Sequence, residues 1–97
     1  IDELIVAGND PIVYPNPFRD HFYLKFMISE AQIVNIGIYD ISGRLINVLY
    51  DGFIEEGQYI LSSEKIKDEL HQFQNGLYFI RFISENTSRT LKLIHSK

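Results

Sequence analysis

The chain contains no cysteine, no tryptophan, one methionine and three prolines in 97 residues. Without cysteine there is no structural disulfide and no thiolate-bound zinc. The absence agrees with passage through an oxidising compartment, where a stray thiol is a hazard, without fixing one. No apolar run approaches the ~20 residues that carry a helix across a bilayer. A cationic stripe is missing too. Nine basic residues lie scattered among thirteen acidic ones, for a net charge of −4. That excludes a surface that tracks a nucleic-acid backbone.

What remains is apolar and aromatic. Hydrophobic residues make up 45% of the chain and charged ones 23%, the balance of a soluble globular protein. A chain of this length buries one core, not two. Seven phenylalanines, six tyrosines and many isoleucines favour strands. The chain opens on Ile1 with no basic region leading into an apolar run. It therefore reads as an excised piece of a longer protein whose leader lies upstream.

Residues 1–11 read as a linker, with Ala7-Gly8-Asn9-Asp10 as a turn-like break. From Ile12 the pattern is β. Phe22, Leu24, Phe26 and Ile28 alternate with more polar neighbours, the period of a half-buried strand. Val34, Ile36 and Ile38 share one face of the next. Asp40-Ile41-Ser42-Gly43 reverses the chain, since glycine takes a positive φ without a Cβ clash. Arg44–Tyr50 returns, Asp51-Gly52 and Glu55-Glu56-Gly57 read as turns, and Gln58–Leu61 as a short strand. At Ser62 the period changes. Ile66, Leu70 and Phe73 fall on one helical face behind a serine cap and Glu64. A short helix is expected near 63–73, closed by Asn75-Gly76. Leu77–Ile83 is apolar on both faces apart from Arg81, as in a central strand. Tyr78, Ile80 and Phe82 take one side. Glu85–Ser88 turns the chain into a last strand, Arg89–Ile94. About seven short strands with turn signals every ~8–12 residues predict an all-β, immunoglobulin-like antiparallel sandwich over 12–97.

Catalytic constellations are lacking. His21, His71 and His95 have no metal-ligand spacing and read as surface or half-buried side chains. Glu55-Glu56 and Asp68-Glu69 read as solvated turn and helix faces. Asp20, Asp40 and Asp51 match no calcium loop. Ser42 is followed by Gly43 but sits in no nucleophile elbow. Gly52–Gly57 lacks the lysine and helix of a phosphate loop. No enzyme activity, metal or cofactor is expected. Tyr23, Tyr39, Tyr50 and Tyr59 read as flanking the core, with sugar stacking as a second reading.

The stretch Tyr14-Pro15-Asn16-Pro17-Phe18 stands apart. Pro15 and Pro17 lack donors and cannot propagate a sheet, and each biases the residue before it toward extended geometry. A stiff corner is expected, with Asn16 bonding its own backbone and Phe18 pinned at the core edge.

Four segments in series, "YPNPF" at 14–18, "IYDISGR" at 38–44, "NGLYFIRF" at 75–82 and "TLKLIHSK" at 90–97, resemble the type A C-terminal sorting domain of the type IX (Por) secretion system of Bacteroidetes. The resemblance covers about residues 12–97. An immunoglobulin-like repeat related to the flagellar hook-capping protein shares much of the pattern. It carries a Trp-Asp-Gly where this chain has Leu61-Ser62-Ser63-Glu64, and that departure favours the sorting domain.

The resemblance implies a non-catalytic export signal at the end of secreted cargo. The partners it implies are the outer-membrane translocon, which reads the domain in the periplasm, and a sortase-like peptidase that removes it. The cargo then joins an anionic lipopolysaccharide at the cell surface. Residues 1–11 become the linker to cargo, with cleavage near Ala7, Gly8 and Asn9, where small residues suit an extended substrate. Some relatives keep the domain, so the second reading is a retained module that binds lipopolysaccharide or glycan, or acts as a spacer. Within the motifs, Pro15, Asn16, Pro17, Gly43, Gly76 and Tyr78 are candidate motif residues. Arg44, Arg81, Lys92, Ser96 and Lys97, which packing does not need, are candidates for direct contact with an acidic receptor or lipopolysaccharide.

Overall fold

Alternation decides the sheets. The computed structural model describes residues 10–70, 72–85 and 88–97. Its strands are β1 (Ile12–Tyr14), β2 (Tyr23–Ile28), β3 (Gln32–Tyr39), β4 (Leu45–Ile54), β5 (Gly57–Ser62), β6 (Gly76–Ile83) and β7 (Ser88–His95). One sheet has the order β1-β2-β5 and the other β4-β3-β6-β7, with antiparallel neighbours. Leu24, Phe26 and Ile28 meet Val34, Ile36, Ile38, Ile80, Phe82 and Leu93 between the sheets, all buried. Each such side chain contributes roughly 1.5–3 kcal/mol by leaving water. The expected immunoglobulin-like sandwich is the fold observed.

Local readings give way where pairing overrides them. Asp51-Gly52 is not a turn. It lies inside β4, with Asp51 opposite Asn35 and Gly52 opposite Val34. A cross-strand partner outweighs a weak turn preference. β4 also carries two register shifts against β3, where Leu49 and Ile46 are the extra residues. A bulge re-aims a side chain: Leu49 is buried and Ile46 packs on the core. The Lys65 ammonium donates to the Leu49 carbonyl. Bulges and a capped carbonyl blunt this sheet edge.

The helical segment starts where expected and ends early. Ser62 Oγ accepts from Glu64 N at 3.0 Å, capping a 3-10 turn, Ser63–Ile66, that runs into a single α-turn, α1 (Lys67–Leu70). Gln72 N then bonds Glu69 O and Phe73 N bonds Leu70 O, so tight turns deliver Phe73 to the core without a longer helix. Ile66, Leu70 and Phe73 are all buried, as their spacing predicts. Asn75-Gly76 does not close the helix. Gly76 opens β6, opposite His95.

Ser63 ties this segment to β2. Its N–H donates to Phe22 O at 3.0 Å, and its Oγ accepts from Phe22 N at 2.9 Å. Ser63 has no exposed surface. Replacing it with alanine strands a buried N–H, so Ser63→Ala should cost about 1–3 kcal/mol in urea unfolding, with the strand content unchanged by circular dichroism.

Candidate functional site

Between β1 and β2 the backbone has to change sheets, because β1 pairs with β2 whereas Phe18 forms a parallel bridge with His95 at the end of β7. Pro15 and Pro17 occupy the change-over, where donor groups have no ladder to join. Both of their X–Pro bonds are cis, and both residues are exposed.

Asn16 does not bond its own backbone as expected. Its amide Nδ2 donates to Lys92 O at 2.9 Å and its Oδ1 accepts from Ile94 N at 2.9 Å. One side chain thus meets a donor and an acceptor on the outer edge of β7, as a neighbouring strand would. Phe18 continues the pattern with its main chain: Phe18 N donates to Ile94 O at 2.8 Å, and Ser96 N to Phe18 O at 3.0 Å. The corner is therefore a sheet switch locked onto β7.

Phe18 itself has no exposed surface. Its ring meets Phe22 edge-on at 5.1 Å and stacks on His95 at 4.6 Å. His95 corrects the sequence reading, which left it at the surface or half-buried. It is 2% exposed, with Nδ1 3.2 Å from Gln74 O and Nε2 3.1 Å from Arg19 O. Carbonyls only accept, so each nitrogen bonds when it carries its proton. The missed signal was the alternation Leu91, Leu93, His95, which places the imidazole on the apolar face of β7. His21 is exposed; His71 lies outside the described residues.

The β3–β4 hairpin is built around Asp40. Gly43, at φ 90°, lets the chain close with Gly43 N on Asp40 O and Asp40 N on Arg44 O. Asp40 Oδ1 accepts from Ser42 Oγ (2.6 Å), Ser42 N (2.9 Å) and Arg44 N (3.0 Å), and Oδ2 from Arg44 Nε (3.1 Å). The Ser42 hydroxyl first, then the Arg44 amide, with the Ser42 amide and the Arg44 guanidinium adding to them, hold this carboxyl below its ordinary value of 3.8 against an opposing desolvation. Arg44 is thus half committed to its own turn, though its side chain stays 77% exposed.

Facing the hairpin is the segment that opens β6. Gly76 has φ 140°. Tyr78, 8% exposed, donates its hydroxyl to Gln74 O at 2.8 Å and stacks on Phe73. It is a packing residue. Asn75 Oδ1 accepts from Lys97 N at 3.0 Å. An open groove of about 700 Å³ runs between the two segments, with Asp40, Ile41, Arg44, Asn75 and Leu77 along its walls. All four sequence motifs therefore meet at one pole. The second and third line a groove, and the fourth is tied to the third through Asn75 and to the first through Asn16, Phe18 and His95.

The remaining cations sit elsewhere. Arg81 lies on the outer face of the four-stranded sheet with its guanidinium 5.2 Å from the Tyr39 ring centre, a cation–π distance. Lys92, opposite Phe79, is exposed on the same face. The side chains of Ser96 and Lys97 are exposed while their N–H groups are tied down. Ala7, Gly8 and Asn9 lie outside the described residues. Among the described residues no group of three metal-ligating side chains comes together.

The family model of the secretion-system C-terminal sorting domain matches residues 12–96. The chain belongs to that family. The sorting domain is a type IX export signal, which implies contact with the type IX machinery and passage through the outer membrane to the cell surface or medium. Its family is not one of enzymes. No curated protein and no solved structure matched this sorting domain. Among its described residues no helix is long and apolar enough to cross a membrane.

Two outcomes test the pole. Asn16→Ala removes both side-chain bonds to β7 and should cost about 1–3 kcal/mol, with hydrogen exchange at Ile94 N–H accelerated beyond the global change. The lowered carboxyl of Asp40 stabilises the hairpin above pH 3.8 and ceases to do so as pH falls through its folded value. Amide exchange at Ser42 and Arg44 should rise in that acidic window, and Asp40→Asn should show the same looseness at neutral pH.

Proposed function

We propose that the sorting domain is read as a folded body by the outer-membrane translocon once its cargo has reached the periplasm, and that a sortase-like peptidase then removes it. The single observation that carries this reading is the family match over 12–96. The meeting of all four motifs at one pole supports it. Packing explains Phe18, Tyr78 and His95 fully, and those residues act on export by keeping the pole intact. Arg44, Lys92, Ser96 and Lys97 present exposed side chains on ordered main chain. Rim charges of this kind govern encounter with an acidic surface, whether receptor or anionic lipopolysaccharide.

Residues 1–11 serve as the linker to cargo in this proposal, and cleavage falls near Ala7, Gly8 and Asn9. The sandwich begins beyond it at β1, where a peptidase finds paired backbone.

The second reading, a retained module that binds glycan, has one feature in its favour. Tyr14 and Tyr23 lie 5.7 Å apart, with His21 edge-on to Tyr23, on the outer side of the three-stranded sheet.

The test fuses all 97 residues to a periplasmic fluorescent reporter in a bacterium that has the type IX system. Reporter should reach the surface or medium only when the translocon is present, with the released domain starting within residues 1–10. Lys92→Glu combined with Lys97→Glu should lower export several-fold without moving the melting temperature. Reporter held in the periplasm of both strains would reject the signal. An intact domain on the exported reporter would favour the retained module.

A further inference from the structure

Of the four sheet edges among the described residues, three are closed. Asn16 and Phe18 cover β7, while bulges and the Lys65 ammonium blunt β4. β1 has three residues between Pro11 and Pro15, too short and too poor in donors to extend a ladder. The fourth edge is β5. Its six residues, Gly57-Gln58-Tyr59-Ile60-Leu61-Ser62, pair with β2 in unbroken register. They include no proline and no charged side chain. The devices that keep a strand from recruiting another are missing here.

The free main-chain groups follow from one hydrogen bond. Ser63 N donates to Phe22 O, so this N–H points at β2. Successive residues of a strand aim their main-chain groups to opposite sides. Leu61 and Tyr59 therefore bond β2. Gln58, Ile60 and Ser62 turn theirs outward, where no further strand lies among the described residues. These groups repeat every second residue, about 6.8 Å apart, a spacing that another extended backbone matches. Ile60 stands among them with its side chain 60% exposed, opposite Lys25.

Charge narrows the occupant. Glu55 and Glu56 come just before β5. Both are exposed, and neither has an ion-pair partner among the described residues. At the other end Glu64 is met by Lys67 at 3.4 Å. The edge is acidic where it starts and balanced where it stops. A strand lying antiparallel to β5 brings its own C-terminal end to Glu55 and Glu56.

From this layout we infer that β5 accepts an extended segment of another polypeptide, antiparallel, with a β-branched residue against Ile60 and basic residues following its strand. About six main-chain hydrogen bonds form, two from each outward residue. They supply affinity with little demand on the partner's sequence. The basic end fixes direction and register. None of the β5 residues lines the motif groove, which stays open.

Amide NMR of the purified 97-residue chain tests this with an acetylated, amidated peptide, Thr-Val-Thr-Val-Thr-Val-Lys-Lys. Binding with a Kd below about 1 mM is expected, with exchange slowed at the Gln58 and Ile60 N–H groups. The same peptide ending in two glutamates should bind about tenfold or more weakly, and the preference should fade as salt is added. Ile60→Pro removes an outward N–H that no ladder bond uses, so the thermal melt should hold while binding falls about tenfold. Ile60→Val should bind within about twofold of the parent, because the main chain is what is read. If Ile60→Pro does not fold, Glu55→Lys combined with Glu56→Lys provides the test: the preference should pass to the glutamate-ended peptide. Absence of binding at 2 mM peptide, shifts confined to residues outside β5, or equal binding of the two peptides would each overturn the inference. Shifts at Gln58 and Ile60 that follow the protein's own concentration and ignore peptide would overturn it too, by placing a second copy on the edge. Purified protein alone is used, so the result stands apart from whether the domain directs export.

Discussion

The seam between Phe18 and the end of β7 is the constraint on which this domain depends. β1 pairs within the three-stranded sheet, and within a few residues the backbone after it bridges to the end of β7 in the other sheet. Hydrogen bonds from Phe18 to Ile94 and Ser96, the Asn16 clamp, and the Phe18–His95 stack fix where that crossing ends. Without it β1 loses its register, the outer edge of β7 lies open, and Gln74 and Asn75 lose what they hold.

The prolines at the crossing acquire their meaning from this seam. A bare edge strand is a template for any passing strand, and β7 is such an edge. Asn16 satisfies two of its main-chain groups with a single side chain, and Pro15 and Pro17 ensure that the ladder stops there. β4, the opposite edge, is protected by other means: two bulges, and the Lys65 ammonium on Leu49 O. Neither edge of the four-stranded sheet is therefore left as a bare template for another strand.

Burial and exposure divide between neighbouring residues of the same motifs. Tyr78 and Phe18 are core, while Ile41 and Arg44 stand in solvent at the rim of the groove. The motif signature is therefore mainly that of a fold, with only a few of its side chains left in solvent. Loss of export in a core variant consequently reports on stability first.

Much of this was legible in the residues themselves. The alternation of β2, β3 and β6, the turn at Gly43, the serine-capped helical turn and the buried trio Ile66, Leu70 and Phe73 follow from local pattern, because side-chain period and backbone sterics act over a few residues. Tertiary structure alone decided the rest. Asp51-Gly52 stayed in a strand because β3 lay alongside it. Asn16 turned from its own backbone to β7 because an unpaired strand edge 76 residues away offered both a donor and an acceptor. His95 became a buried hub because Phe18, Arg19 and Gln74 come together around it. Those outcomes depend on which distant groups become neighbours, and a linear pattern carries no record of that.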